Sequence, residues 1–365
     1  MRLKLLSVAA LLVLPTSMSV RAADIWGLNQ GTPEMQSATT LAFGPEDILF
    51  VGDAKAAAVF AIATGDTEGD AALASINIEN LPKAIGDVLQ AKTVVINDLA
   101  VNPRTGSAFV AVSADDRAAL VKIDGAGKIT ALSLTGVSFA KVQLAHVPED
   151  KIIENRGRVT NRRMDSITDI AFFENKVLVS GLSDAQSPST VRELNFPFTE
   201  SDKGMAIEIY HAAHGKSEDT SAMRTFVPIM IDGEPSLLGA YVCTPLVRIP
   251  IKDLAAAGEK VKATTVAELG NMNRPLDMIA YEKDGQSFLL LSNSARGVMK
   301  ITTAGLKENK GLTEPVRGGG KAGQEYEDVK SMAGVIQMDK LNDHAALILV
   351  HPDNSPQNLK TVPLP

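Results

Sequence analysis

The sequence predicts an all-β protein, a six-bladed β-propeller with short helical inserts, and three observations carry that expectation. First, a polar residue, an apolar strand, a turn with Gly, Asn or Asp, a second apolar strand, a polar loop and a third strand recur six times along the chain. Second, apolar alternation and β-branched residues favour strands within each copy, and the turns NPRTG, FEN and EKDG make the first two strands a hairpin. Third, the last copy stops after its third strand, at TVPLP, so a ring must complete that blade with a strand from elsewhere. A sheet of three or four strands cannot bury both faces alone. Stacking such sheets face to face around an axis does so and removes the exposed edges; a β-sandwich of similar hairpins is the competing arrangement.

The elements follow in order. MRLKLL is a positive start, SVAALLVLP an apolar stretch too short to span a bilayer, and VRAA a small-residue cleavage site. Residues 1–23 are therefore expected to be a signal peptide, leaving 24–365 as a single propeller domain in a periplasm or outside the cell. The segment DIWGLN at its start is the expected closing strand of the last blade, with Trp26 in a structural role. The copies begin at Thr39, Ile96, Ile167, Phe226, Arg274 and Met332. Two inserts interrupt them. Residues 79–90 place Leu81, Ile85, Val88 and Leu89 at helical spacing behind the potential cap Asn80. Residues 146–166, polar and rich in arginine, start in a helix-like way and are expected to fold over one face of the ring.

Composition excludes several functions. Removing Arg2, Lys4 and Arg21 with the leader takes the formal net charge from −7 to about −10, which argues against nucleic acid as a partner. The single cysteine, Cys243, cannot form an internal disulfide, and no C-x-x-C-H is present to attach a c-type haem. No P-loop, dinucleotide fingerprint, G-x-S-x-G elbow or H-E-x-x-H appears.

In propellers generally, the loop leading into the innermost strand and the loop between the second and third strands share one face of the ring. That rule gathers Asp98, Asp169, Arg224, Arg274, Asp277, Asn293, Arg296 and His351 as candidates for a ligand-binding face. Carboxylates and amides around a channel mouth suit a hard cation such as calcium; turn and blade-bridging duty is the simpler role for the same aspartates. The phrases LAFGPEDILFVGD, INDLAVNP and RPLDMIAY resemble the broad six-bladed group that includes NHL-repeat proteins, gluconolactonase-like and paraoxonase-like hydrolases and soluble quinoprotein sugar dehydrogenases. In the hydrolases ring Glu, Asn and Asp residues hold calcium, and the resemblance implies Asn97 and Asp98 in INDLAV as one such element; Asp169 and Asp277, at the same ring face, join them as metal candidates. The low aromatic content and lone Trp26 argue against WD-type and tryptophan-ringed quinoprotein propellers.

Histidine and cysteine stand apart from this face. His211 and His214, in EIYHAAHGKSED, are spaced to share one side of a turn as copper or zinc ligands, with no third ligand visible; a polar surface pair is the plainer reading. Cys243, at the end of an apolar strand, has no identifiable base beside it and reads as a small buried hydrophobe. His351 beside Asp353 suits a general base or an ordinary turn. Three functions remain: an exported, non-catalytic propeller binding a small ligand or protein partner on its polar face; a calcium-dependent lactonase or esterase; and a quinone-dependent sugar or alcohol dehydrogenase with Arg224, Arg274 and Arg296 on the cofactor.

Overall fold

The computed structural model describes residues 26–365 apart from 156, 202, 256, 257, 259, 353 and 354. The expected leader, with Asp24, Asp353 and Asn354, lies outside the described residues. Among the described residues no helix is long and apolar enough to cross a membrane.

Six sheets, antiparallel but for one short parallel pair at the edge of the third, form the blades of a propeller. In chain order their three innermost strands are Thr40–Phe43, Ile48–Asp53 and Ala58–Ala63 in the first blade; Val94–Val101, Ala108–Ala114 and Arg117–Ile123 in the second; and Asp169–Phe173, Lys176–Leu182 and Ser189–Asn195 in the third. The fourth has Thr225–Ile231, Glu234–Ala240 and Pro245–Pro250; the fifth Pro275–Lys283, Gln286–Asn293 and Gly297–Thr302; the sixth Val335–Lys340, Ala345–Val350 and Asn358–Pro363. Middle strands such as Ile48–Asp53 are buried throughout, because sheets cover them on both faces.

Blade order around the ring departs from chain order. Leu41, Val51 and Phe60 of the first blade pack against Ala100, Phe109 and Leu120 of the second. The opposite face of the first blade, with Ile48, Phe50 and Val59, meets Ile170, Val177 and Val179 of the third. The second blade's other face, with Leu99, Val110 and Val121, packs on Leu347, Leu349 and Leu359 of the sixth. The remaining layers join third to fourth, fourth to fifth and fifth to sixth. The circuit therefore runs second, first, third, fourth, fifth, sixth and back to second.

This exchange decides how the ring closes. After the first blade the chain crosses to the sixth, where Asn77–Ile78 pairs with Leu359 and Lys360 as the outermost strand. Thr361 Oγ1 accepts the Ile76 amide at 3.0 Å and Asn358 Oδ1 accepts the Asn80 amide at 2.8 Å. The chain then builds the second blade and returns to the first as its outer strand, Val137–Gln143, which pairs with Ala58–Ala63. The N-terminal strand, Asn29–Gly31, pairs with that strand at the edge of the first blade. It thus closes no gap in the last blade, contrary to expectation. Trp26 stacks on Phe196 at 5.3 Å between centroids, and Leu28 is buried in the same layer, anchoring the chain's start between the first and third blades.

The first insert is the expected helix, Leu81–Leu89: Asn80 caps it by accepting from Lys83 N, and Leu81 and Ile85 are buried. The second insert is a β-hairpin, Ile152–Asn155 with Arg158–Asn161, followed by a 3₁₀ turn at Arg162–Asp165. Its β-branched Ile152, Ile153, Val159 and Thr160 and the left-handed Gly157 suit a tight two-stranded turn better than a helix.

Candidate functional site

Four aspartates line the axial channel, each on an innermost strand. Asp98 accepts the Leu41 amide at 2.7 Å, Asp169 the Phe226 amide at 2.8 Å and Asp277 the Met338 amide at 2.6 Å. In each the second carboxylate oxygen accepts the next amide of its own strand, from Leu99, Ile170 and Met278. Asp339 repeats the arrangement two residues deeper, accepting Val101 and Lys340. Each carboxylate thus ties its blade to the next. The residues just before the first three receiving amides are Thr40, Thr225 and Gln337. Around the ring the level reads Asp98, Thr40, Asp169, Thr225, Asp277, Gln337, so the carboxylates occupy alternate blades.

Asp98, Asp169 and Asp277 line both a cavity of about 540 Å³ on one side of this level and one of about 320 Å³ on the other, so the girdle divides one channel into two halves. The side chains touch the channel, yet protein surrounds them on all sides, and the loss of solvation disfavours their charge. Burial, then the charge of Asp169, holds Asp98 well above the usual carboxylate range; burial, then the charge of Asp98, does the same for Asp277. Burial pushes Asp169 up to about 7 and Asp339 up to about 6, against the opposing pull of their amide donors.

Positive charge gathers at the mouth of the smaller half. Arg224 and Arg274 both line it, with Asn97, Thr39, Thr168 and Gln337. The hairpin insert does fold over this face: its 3₁₀ turn supplies Asp165, which pairs with Arg224 at 2.7 Å, and Met164, which lines the cavity. Among the described residues the Arg274 guanidinium has no hydrogen bond or ion pair. Partial burial, with Arg224 beside it, lowers its pKa.

Five of the residues expected on this face, Asp98, Asp169, Arg224, Arg274 and Asp277, therefore line one cavity together with the metal candidate Asn97. Asn97 Nδ2 is engaged by Ala38 O and Ser113 Oγ at 2.8 and 3.1 Å. Asn293, Arg296 and His351 do not line either half of the channel. Asn293 is buried and accepts from Asn273 at 3.0 Å. Arg296 lies against Gly270 and donates to Asn271 O at 3.3 Å, out toward the fourth blade, so it does not pair with Asp277 although both loops share a face. His351 is exposed beside Gly334, whose carbonyl accepts its amide. The second-loop aspartates Asp53 and Asp115 face their own blade's leading loop, accepting the amides of Gln36 and Ser37 and of Lys92 and Thr93. Asp339 was missed by sequence reasoning because QMDK moves the aspartate two places along the repeat frame that INDL and RPLD share.

The fold and site define a six-bladed β-propeller with a polar axial channel, a description that rests on the sheets and the channel themselves. No protein-family model matches the chain, and no curated protein matches it in sequence. Solved structures that it resembles include the C-terminal WD40 domain of Sif2 (11% identity, 93% of this chain and 98% of that one, TM-score 0.36). The PQQ-bound aldose sugar dehydrogenase of Streptomyces coelicolor is similar at 9% identity over 91% of this chain and 96% of that one, with a TM-score of 0.31. The extracellular region of plexin A4 is similar at 11% identity over 93% of this chain and 40% of that one, with a TM-score of 0.41.

Proposed function

We propose that the protein is exported and binds a small polar molecule, without transforming it, in the arginine-lined half of the channel. The observation that carries this reading is the unpaired Arg274 guanidinium beside Arg224 at the mouth of a cavity of about 320 Å³ floored by carboxylates. Arginine presents a planar fork matched to carboxylate or phosphate, and with Arg224 already paired to Asp165, Arg274 is the guanidinium left to take an anionic group. Deeper in the cavity Asp98, Asp169 and Asp277 favour hydroxyl or ammonium donors. The ligand class is therefore a compact molecule with an acidic group at one end and donors at the other, such as a hydroxy acid or an amino acid. The girdle's carboxylates are spread over alternate blades with both oxygens of each engaged by amides, which favours bracing over an oxygen cage for calcium.

Calorimetry against a panel of hydroxy acids, amino acids and sugar phosphates tests the reading. A binder is expected whose affinity falls at least tenfold in Arg274→Ala, while the melting temperature of the unliganded variant stays close to that of the parent. No binder in the panel, or one indifferent to Arg274, would overturn it. Intact-mass measurement of the exported product tests the address: a chain beginning near Ala23 is expected, and one that retains Met1 contradicts export with cleavage.

A further inference from the structure

We propose that His211, His214 and Cys243 bind one transition-metal ion of borderline-to-soft character, zinc or copper, on the rim between the third and fourth blades. The strand Met205–His211 alternates buried and half-buried residues, and His211 is the last of its buried row, 3% exposed. The chain turns immediately: the amides of His214 and Gly215 donate to His211 O at 3.0 and 2.9 Å, bringing the two imidazoles to 3.8 Å between centroids. The returning strand Lys216–Glu218 places Glu218 opposite Ile209. One carboxylate then holds both rings, Glu218 Oε2 to His211 Nδ1 at 2.9 Å and Oε1 to His214 Nδ1 at 2.8 Å.

Cys243 comes from the loop between Glu234–Ala240 and Pro245–Pro250 of the fourth blade. Its amide is fixed to Asn273 O at 2.8 Å. One ring nitrogen of each histidine and the Cys243 sulfur all lie within 4.8 Å of one another. An independent observation points the same way: His211 Nε2 is buried and has no hydrogen-bond partner. A paired surface cluster of two histidines and a glutamate accounts for the Nδ1 atoms, but not for a buried ring nitrogen left without a partner, which folded proteins ordinarily avoid.

The donor set selects the ion. Two imidazoles and a thiolate suit zinc or copper and are poor ligands for calcium or magnesium. A carboxylate on the far nitrogen of a metal-bound histidine fixes tautomer and ring orientation, and here one residue does so for both rings. The charges also balance, because a thiolate and the Glu218 carboxylate offset a divalent ion. Cys243 is half-buried and His214 exposed, which leaves the ion a path from solvent.

Cobalt(II) titration of the full protein tests the site, since tetrahedral thiolate coordination produces a near-ultraviolet charge-transfer band. Cys243 is the chain's one cysteine, so a band has a single possible source. The expected result is one cobalt per chain with that band, displaced by zinc but not by calcium or magnesium. The band should vanish in Cys243→Ser, whose melting temperature should match the parent because the side chain keeps its size. Glu218→Gln should keep the band and weaken the ion about 10- to 100-fold. No charge-transfer band, or equal cobalt affinity in the parent and Cys243→Ser, would overturn the proposal.

Discussion

Replacing Asp169 by asparagine separates the two opposing effects that meet in the channel girdle. The native carboxylate accepts Ile170 N and Phe226 N, both at 2.8 Å. Asparagine has one oxygen and can accept only one of them, which costs about 1–3 kcal/mol for the amide left unmatched. Against this stands the raised pKa. Moving from an ordinary 3.8 to about 7 corresponds to at most about 4 kcal/mol that the ionised form loses on folding. Between those values the folded state holds a proton that the unfolded chain has released, so stability is full below about 4 and lost as pH rises through about 7. The asparagine has no such loss. It also lightens the burden on Asp98 and Asp277, whose pKa values the Asp169 charge raises. Urea unfolding followed by circular dichroism should therefore find the variant less stable than the parent at about pH 4, where the parent has lost little of this stability. The gap should close or reverse by pH 8.5. Parallel pH dependences for the two proteins would refute the reasoning.

Other substitutions probe packing and closure. A Cβ on Gly181 would stand 2.2 Å from the Ser166 carbonyl oxygen, so Gly181→Ala should lower stability by about 1–3 kcal/mol or more on thermal denaturation. Thr361→Val keeps the side-chain shape but strands the Ile76 amide at the ring closure, with an expected loss of about 1–3 kcal/mol by urea unfolding. Ile85→Ala empties a fully buried position between the helix and the second and sixth blades and should cost about 2–5 kcal/mol in the same assay.

Much of the fold was legible because its signals are local. The hairpins at NPRTG and EKDG, and the helix behind Asn80, depend on residues a few places apart, and the structure forms them as read. Asp98, Asp169 and Asp277 were legible too, since each stands at the start of an apolar strand where a repeat frame places it at the channel. Asn293 and Arg296 were not: they share a face with Asp277, but their side chains are claimed by Asn273 and by the carbonyl of Asn271. The hairpin insert was misjudged at its start, where a polar, charged stretch hides the β-branched residues that follow.

The sequence by itself determined most of the strands, their pairing into meanders, the number of blades and the arrival of Asp98, Asp169 and Asp277 at the channel, because side-chain alternation and turn chemistry act within a single copy. Only the tertiary structure decided which blade stands beside which. That choice depends on faces such as Phe50 on Val177 and Phe109 on Leu41, more than 50 residues apart in sequence, and on a link that crosses to Leu359 before the second blade is built. Its consequence is chemical. In chain order the second and third blades, with Asp98 and Asp169, would be neighbours; with the first blade between them, each carboxylate faces a blade that offers an amide and no aspartate at the same level. His211, His214 and Cys243 likewise meet only because the third and fourth blades pack against each other, a contact that no spacing along the chain could reveal.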